Sequence, residues 1–138
     1  MEKIFKQEEI KDVAEELIEF LNENKDGQMV IGLSGNLGAG KTTLVKELIR
    51  QLGSTESVAS PTFVLRRDYQ VGDRKFIHID AYRLESPEQM RQVISANELS
   101  DPHNIVFIEW PEKVFPEIFT HVFLLEHVDE VTRKISKM

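Results

Sequence analysis

Apolar residues recur at helical spacing in two parts of the chain. Residues 41–52 predict a helix closed by Gly53, a residue type that commonly follows a helix end. Residues 7–24 predict an amphipathic helix, with acidic residues opposite the apolar stripe and an end at Lys25-Asp26-Gly27. The stripe of this helix consists of Ile10, Val13, Ala14, Leu17, Ile18 and Leu21.

Continuous apolar runs predict strands. Residues 29–34 and 105–110 are the clearest, because strands buried on both faces carry apolar side chains throughout. Residues 63–69 and 75–80 predict a hairpin across Val71-Gly72-Asp73, and residues 121–125 and 132–135 predict closing strands, the last of them short. Residues 54–62 are expected to form a loop, and Ser86-Pro87-Glu88 to begin a helix. The pattern predicts a three-layer α/β domain over residues 1–138, its mixed parallel and antiparallel sheet flanked by helices.

Composition narrows the functional classes. Of 138 residues, 41% are apolar and 30% charged, which is typical of a globular domain, and no apolar run approaches a membrane span. The chain has no cysteine, so disulfides and thiolate metal sites are excluded, and its charged start does not resemble a secretory signal. We therefore expect a cytoplasmic protein with no membrane partner. The formal net charge of −7 argues against tight, direct binding of tRNA or other nucleic acid.

A phosphate-binding motif follows the strand at residues 29–34. Residues 35–42, GNLGAGKT, match G-x-x-x-x-G-K-[ST] in full, which predicts a P-loop NTPase domain. Glycines let successive backbone N–H groups face phosphate oxygens, and the helix N-terminus adds partial positive charge. Lys41 can then reach the β- and γ-phosphates, and Thr42 can ligate Mg²⁺. Adenine is the expected base by elimination, since Asn24-Lys25-Asp26 precedes the loop, on the wrong side for a guanine-binding motif.

Two strands end in carboxylates that a P-loop enzyme could use. Asp80 ends KFIHID and Glu109 ends IVFIE, so either could hold Mg²⁺ while the other orders the attacking water. The plain alternative is a solvated carboxylate where the sheet stops. His78 lies on the same strand face as Asp80 and is expected to be a strand histidine with a satisfied ring. Trp110 is expected to serve packing.

For two further residues, a functional interpretation and a purely structural one both stay open. Thr62, in Ser60-Pro61-Thr62-Phe63, stands where GTPases place a switch threonine that senses the γ-phosphate, but an ordinary turn before a strand explains it equally well. Arg83 could reach phosphate or form a surface ion pair.

Four separated segments together carry a family resemblance. GNLGAGKTT, SPTF, HIDAYRL and IEWPE, in this order and over nearly the whole chain, closely resemble the bacterial TsaE family, also called YjeE. The resemblance implies a slow ATPase that uses ATP/ADP and Mg²⁺ and is required for threonylcarbamoyladenosine in tRNA. It also implies TsaB and TsaD as protein partners, whose complex the ATPase would reset between turnovers.

The same resemblance assigns site residues. Thr42 and Glu109 would hold Mg²⁺, Asp80 would lie by the metal and the attacking water, and Thr62 would act as the switch. The nucleotide would contact Gly35, Leu37, Gly38, Ala39, Gly40, Lys41, Thr42, Thr43 and Arg133, the last being the weaker match.

The chain departs from the family pattern at two positions. Asn36 stands where the family usually has Asp, and Ile10 stands near a family threonine that lies by the base. Two other functions stay open from the residues alone. One is a metabolite kinase, although no Arg-rich lid segment is evident, and the other is a nucleotide-dependent switch that does not hydrolyse.

Overall fold

A mixed sheet organises the protein. The computed structural model describes residues 1–24, 27–54, 57–59 and 65–138. Within them, eight strands form one sheet in the order β1-β8-β7-β2-β6-β5-β4-β3. The strands are β1 (Glu2–Lys6), β2 (Met29–Ser34), β3 (Ser57–Ala59), β4 (Arg66–Val71), β5 (Arg74–Asp80), β6 (Asn104–Glu109), β7 (His121–His127) and β8 (Thr132–Lys137). The helices are α1 (Ile10–Glu23), α2 (Lys41–Gln51) and α3 (Ala96–Ser100).

The parallel strands lie in the centre of the sheet. β2 pairs in parallel with β6 and β7, and β6 pairs in parallel with β5. Antiparallel pairs extend the sheet at both ends, through β7–β8–β1 on one side and β5–β4–β3 on the other. The carboxyl ends of the central strands therefore meet at one edge, where α/β proteins place their ligands.

Successive side chains of the central strands point to opposite faces of the sheet and pack into two separate hydrophobic cores. On β2, Ile31 and Leu33 pack with helices α1 and α2, while Val30 faces the opposite core. The second core is covered by the segment after β5, which contributes Met90 and Ile94, and by the segment after β6, which contributes Val114. Helices on one face and irregular segments on the other give three layers, as the sequence predicts.

The structure confirms the predicted α/β architecture and most elements. Both long helices, β2, β6, the closing strands and the hairpin turn at residues 71–73 are where the pattern places them. The prediction of a loop over residues 54–62 is wrong at residues 57–59, which form β3 against β4. The helix expected from Ser86 is a 3₁₀ helix, Pro87–Gln92. Strand β1 and helix α3 were not predicted, and Lys25 and Asp26 lie outside the described residues.

No helix among the described residues is both long enough and apolar enough to cross a membrane.

Candidate functional site

The loop between β2 and α2 has the backbone of a phosphate cradle. Gly35, Gly38 and Gly40 have φ values of +150°, +80° and +102°, a region that side chains disfavour. A Cβ at Gly35 would lie 2.5 Å from the carbonyl oxygen of Leu125. The start of the loop therefore contacts β7 too closely to admit a side chain. Gly40 is the N-cap of α2, and its turn aims the first N–H groups of that helix along the loop.

Lys41 is held at the first position of α2 by two contacts. Its Nζ donates to the Gly35 carbonyl oxygen, which closes the loop on itself, and lies 3.6 Å from the ring centroid of Trp110. The residue is only 5% exposed. Burial lowers the pKa of the Lys41 ammonium, while the carboxylates of Glu109, Glu112 and Asp80 oppose that shift. An anionic phosphate would supply this desolvated cation with a strong partner.

Trp110 takes a backbone conformation that only glycine adopts freely. Its φ of 62° is the only positive value among the non-glycine residues that the structure describes. Residues in this region cost about 1–3 kcal/mol and concentrate at functional sites. The Trp110 indole lies against the Lys41 ammonium, and the centroid of the Tyr82 ring is 5.0 Å from that of Trp110, so the two rings form an aromatic wall at the phosphate loop.

A buried carboxylate lies directly below the loop. Glu109 is 3% exposed, and the Thr42 hydroxyl donates to both of its carboxylate oxygens at 3.1 Å. On the other side, His78 Nε2 lies 2.6 Å from Glu109 Oε2. The structure thus confirms the expected satisfied strand histidine, and its partner is the predicted metal-binding residue.

Asp80 and Glu109 are neighbours in the sheet but have different surroundings. They are register partners on β5 and β6, and both lie on the sheet face that packs against α2. Asp80 is half-buried, and its Oδ1 accepts from the Tyr82 N–H at 3.0 Å. Glu109 is closed in by Thr42 and His78, whereas Asp80 keeps an open side. The two carboxylates are therefore suited to different tasks.

Two clefts meet at these residues. One of about 230 Å³ runs along the phosphate loop and is bounded by Asp80, Tyr82, Glu109 and Trp110. A second, of about 430 Å³, continues past Thr42, Asp80 and Glu109 toward Lys46, Arg67 and Tyr69. Most of the predicted phosphate-binding residues line the first cleft, namely Leu37, Gly38, Gly40, Lys41, Thr42 and Thr43.

The donor set fits a magnesium ion held with phosphate oxygens. Mg²⁺ prefers hard oxygen ligands and is usually bound by one or two protein groups plus substrate phosphates and water. Thr42 and Glu109 supply two such groups within 3.1 Å of each other. The described residues contain no cluster of three or more His, Cys, Asp or Glu side chains that would form an all-protein site.

The remaining predicted residues have other positions. Ala39 is buried, and its N–H donates to the Asn36 carbonyl oxygen, so it supports the loop from within. Arg133 is 6% exposed, and its Nη1 donates to the carbonyl oxygens of the β7–β8 turn, the nearest being Asp129 at 3.0 Å. Its contact with nucleotide stays a prediction. Thr62 lies outside the described residues, and its switch role likewise stays a prediction.

Sequence reasoning missed three features of the site. Trp110 packs against the second core, as expected, but its ring also contacts the phosphate-loop lysine, which the sequence did not indicate. Tyr82 was not singled out, nor was His127, whose Nε2 lies 3.9 Å from where a Cβ on Gly38 would be. A signal existed for Tyr82 and Trp110, since each follows a strand-terminal carboxylate by one or two residues.

Comparisons with known proteins identify the family and support the fold. Residues 4–135 match the model of the family described as "Threonylcarbamoyl adenosine biosynthesis protein TsaE". A curated relative from Nostoc, named "tRNA threonylcarbamoyladenosine biosynthesis protein TsaE", is 39% identical over 117 residues, which cover 83% of this chain and 72% of the relative. One of the same name from Haemophilus influenzae is 35% identical over 92 residues, which cover 64% of this chain but only 58% of the relative. The crystal structure of Bacillus subtilis YdiB superposes with a TM-score of 0.61 at 21% identity, covering 99% of this chain and 84% of that chain, and supports the fold.

Proposed function

The chain belongs to the TsaE family, and from that premise we propose that it serves tRNA threonylcarbamoyladenosine biosynthesis as a Mg²⁺-dependent ATPase. In this proposal it acts with TsaB and TsaD, binds ATP, and hydrolyses it slowly to reset their complex. One observation carries the nucleotide part of the proposal. The complete phosphate loop ends at Thr42, whose hydroxyl donates a hydrogen bond to Glu109, and Lys41 and Asp80 border the same cleft.

Each site residue has a task that its surroundings favour. The loop N–H groups and the Lys41 ammonium bind and orient the phosphates, since both are positioned before substrate arrives. Thr42 and Glu109 would hold the metal, because the threonine oxygen keeps a free lone pair while its hydrogen is donated to the carboxylate. Bound there, Mg²⁺ would neutralise charge on the transferring phosphoryl group.

Asp80 is the residue we assign to the attacking water. Its carboxylate borders the phosphate cleft, and one oxygen is fixed by the Tyr82 N–H, which leaves the other to accept a hydrogen bond from water. Among the hydrogen bonds of the described residues, His78 contacts Glu109, whereas Asp80 accepts from the Tyr82 N–H and has no imidazole partner. The aromatic wall of Tyr82 and Trp110 would exclude bulk water from one side of the cleft.

Phosphate release tests the proposal. We expect slow release from ATP by the protein alone, none with EDTA, and clear stimulation by TsaB and TsaD together. Lys41→Ala should reduce turnover by about 100-fold or more, because it removes the charge that contacts the transferring phosphate. Lys11→Ala, an exposed lysine on α1, is the matched control and should behave as wild type.

Other outcomes would contradict specific parts of the proposal. Wild-type turnover by folded Lys41→Ala would remove the phosphate-site assignment. Equal competition by GTP against labelled ATP would contradict the adenine preference. ATP-dependent binding to TsaB and TsaD without any phosphate release would replace the ATPase by a pure nucleotide switch.

A further inference from the structure

We infer that His78 is a positioning residue for the metal site: its imidazole fixes the Glu109 carboxylate in the orientation that lets Thr42 and Glu109 act together on magnesium. The inference rests on the proposed nucleotide and metal site and adds a residue to it. Its physical basis is the 2.6 Å contact between His78 Nε2 and Glu109 Oε2.

The sheet register brings these two side chains together. His78 lies two residues before Asp80 on β5, so both face α2, and Asp80 is the register partner of Glu109 on β6. The His78 side chain contacts Glu109 on the neighbouring parallel strand, while the Asp80 side chain borders the cleft. The same strand therefore directs His78 toward the buried Glu109 carboxylate and the Asp80 carboxylate toward the cleft.

Burial makes the histidine contact consequential. The side chains of His78 and Glu109 are 12% and 4% exposed, so little water can replace a lost hydrogen bond. An ionised carboxylate only accepts, which requires a proton on His78 Nε2. With Oε2 fixed by His78 and both oxygens held by the Thr42 hydroxyl, the carboxylate cannot rotate freely. Groups that orient a metal ligand in this way typically change metal affinity by about 10–100-fold when removed.

Two substitutions separate positioning from packing. His78→Phe keeps a planar ring of similar size but has no donor. His78→Gln places an amide N–H near the position of the imidazole Nε2 and should restore the contact. His103→Phe is the matched control, because His103 also pairs with a carboxylate, Asp101 at 3.2 Å, but is 71% exposed.

The measured quantity is the magnesium factor, defined as the Kd for the ATP analogue AMP-PNP in EDTA divided by its Kd in saturating Mg²⁺. Calorimetry on the full chain gives both values. We expect His78→Phe to bind AMP-PNP in EDTA as wild type does, and to lose about tenfold or more of the magnesium factor. His78→Gln should recover most of that factor, and His103→Phe should retain all of it.

Several outcomes would overturn the inference. An unchanged magnesium factor in folded His78→Phe would remove the positioning role and leave the proposed site intact. Equal weakening of binding in EDTA and in Mg²⁺ would show a structural role only. A magnesium factor of one in the wild type would remove the proposed metal site together with the inference.

A measurement on the wild type keeps the inference testable if His78→Phe does not fold. Long-range ¹H–¹⁵N NMR of the His78 ring should show the proton on Nε2. A neutral ring with its only proton on Nδ1 would contradict the donated hydrogen bond and overturn the inference.

Discussion

Gly35 leaves no room for a side chain where the phosphate loop begins. Its φ is +150°, and a Cβ would lie 2.5 Å from the Leu125 carbonyl oxygen, which belongs to the neighbouring strand. Gly35→Ala should lower the free energy of unfolding by about 3 kcal/mol and weaken nucleotide binding, because β2 and β7 or the loop itself must shift. Urea unfolding and nucleotide titration on the same preparation measure both effects.

Gly53 provides the control for this substitution. It also has a positive φ, +85°, but a Cβ there would have nothing within 4 Å. Gly53→Ala should cost only about 1 kcal/mol, the strain of the backbone conformation alone, and leave nucleotide affinity unchanged. If both variants lost the same stability, the contact with Leu125 would have no role.

Substitutions of Glu109 and of Asp80 should impair different steps, metal-dependent binding in the first case and turnover in the second. Glu109 contacts Thr42 and His78 and is buried, so Glu109→Gln should weaken nucleotide binding only when Mg²⁺ is present. Asp80 borders the cleft without those contacts, so Asp80→Asn should bind ATP with Mg²⁺ normally and lose turnover by about 100-fold. Nucleotide titration with and without EDTA, followed by single-turnover hydrolysis, separates the two effects.

Glu112→Gln is the control for removing a nearby negative charge. Glu112 raises the pKa of Lys41 as Glu109 and Asp80 do, but it lines a separate cleft beside Gly35 and Asn36, not either of the two clefts that meet at Thr42. It should preserve both binding and turnover within a few-fold. If Asp80→Asn failed to bind ATP while Glu109→Gln hydrolysed normally, the two assignments would be reversed.

Sequence predicted the chemistry of the site better than its geometry. Lys41 and Thr42 follow from a motif, and Glu109 from its place at the end of an apolar strand. Two facts required the structure. The pairing of His78 with Glu109 depends on the register of β5 against β6, and the left-handed backbone of Trp110 depends on the turn that follows β6. The strand register has no local sequence signal, because it arises from contacts between segments distant along the chain, and the position of Trp110 just after a strand-terminal carboxylate does not specify its backbone conformation.

At the scale of secondary-structure elements, an ion-pair cluster joins β4 to α3. Arg66 donates to both carboxylate oxygens of Glu98 and of Asp68. Hydrogen bonding to Arg66 lowers the pKa of Glu98 to about 2. Such a shift corresponds to about 3 kcal/mol, which partial exposure reduces to about 1–2 kcal/mol. Arg66 directly follows Leu65 at the end of the segment that contains Thr62, so this cluster fixes where the chain enters β4.

Glu98→Gln should therefore lower stability in a pH-dependent manner. Because the pKa is depressed in the folded state, the carboxylate stabilises the protein above the unfolded pKa of about 4.3, and this contribution disappears as pH falls toward about 2. Wild type should exceed Glu98→Gln in free energy of unfolding at pH 7, and the two should converge near pH 2. Denaturant unfolding at pH 7, 4.5, 3 and 2 measures the difference.

Glu47 supplies the comparison. Its pKa is also lowered to about 2, first by a hydrogen bond from Arg50, but the Arg50 side chain is 68% exposed. Solvent screens such a pair, so Glu47→Gln should cost less than Glu98→Gln at pH 7. A larger loss in Glu47→Gln would contradict the assignment of stability to the Arg66 cluster.

Elements were predictable where burial is strong. The central strands β2 and β6 are buried along their whole length and appear in the sequence as apolar runs. Strand β1 lies at a sheet edge, and only Phe5 is buried in an otherwise charged or exposed segment. Helix α3 has five residues and no buried one, so it has no apolar stripe to detect. Its start is marked by Ser95 and Glu98, a capping box that sequence analysis could have recognised.

At the scale of the whole molecule, charge favours a protein surface over nucleic acid as the first partner. The chain carries 24 acidic and 17 basic residues, for a net charge of −7. Lys41 in the phosphate loop already has an aromatic partner in Trp110, and Arg66, on the opposite face of the sheet, is paired with Glu98. Approach to tRNA would have to overcome phosphate repulsion before any contact forms. A nucleotide bound at the loop would thus affect a protein partner more readily than the tRNA itself.

The last prediction concerns how the nucleotide state reaches that partner. Hydrolysis removes the γ-phosphate, so the signal must come from a residue that contacts it, and Thr62 is the residue whose sequence position matches a switch threonine.

Isolated tRNA should neither bind tightly nor stimulate phosphate release, whereas TsaB with TsaD should stimulate it. Thr62→Ala should lose most of that stimulation and keep wild-type affinity for ADP, which has no γ-phosphate to sense. Ser100→Ala removes an exposed hydroxyl on α3, away from the phosphate loop, and is the control that should keep full stimulation. Phosphate release would be measured for each protein alone, with TsaB and TsaD, and with tRNA only. Full stimulation of Thr62→Ala, or strong stimulation by tRNA alone, would show that the nucleotide state is transmitted by another route.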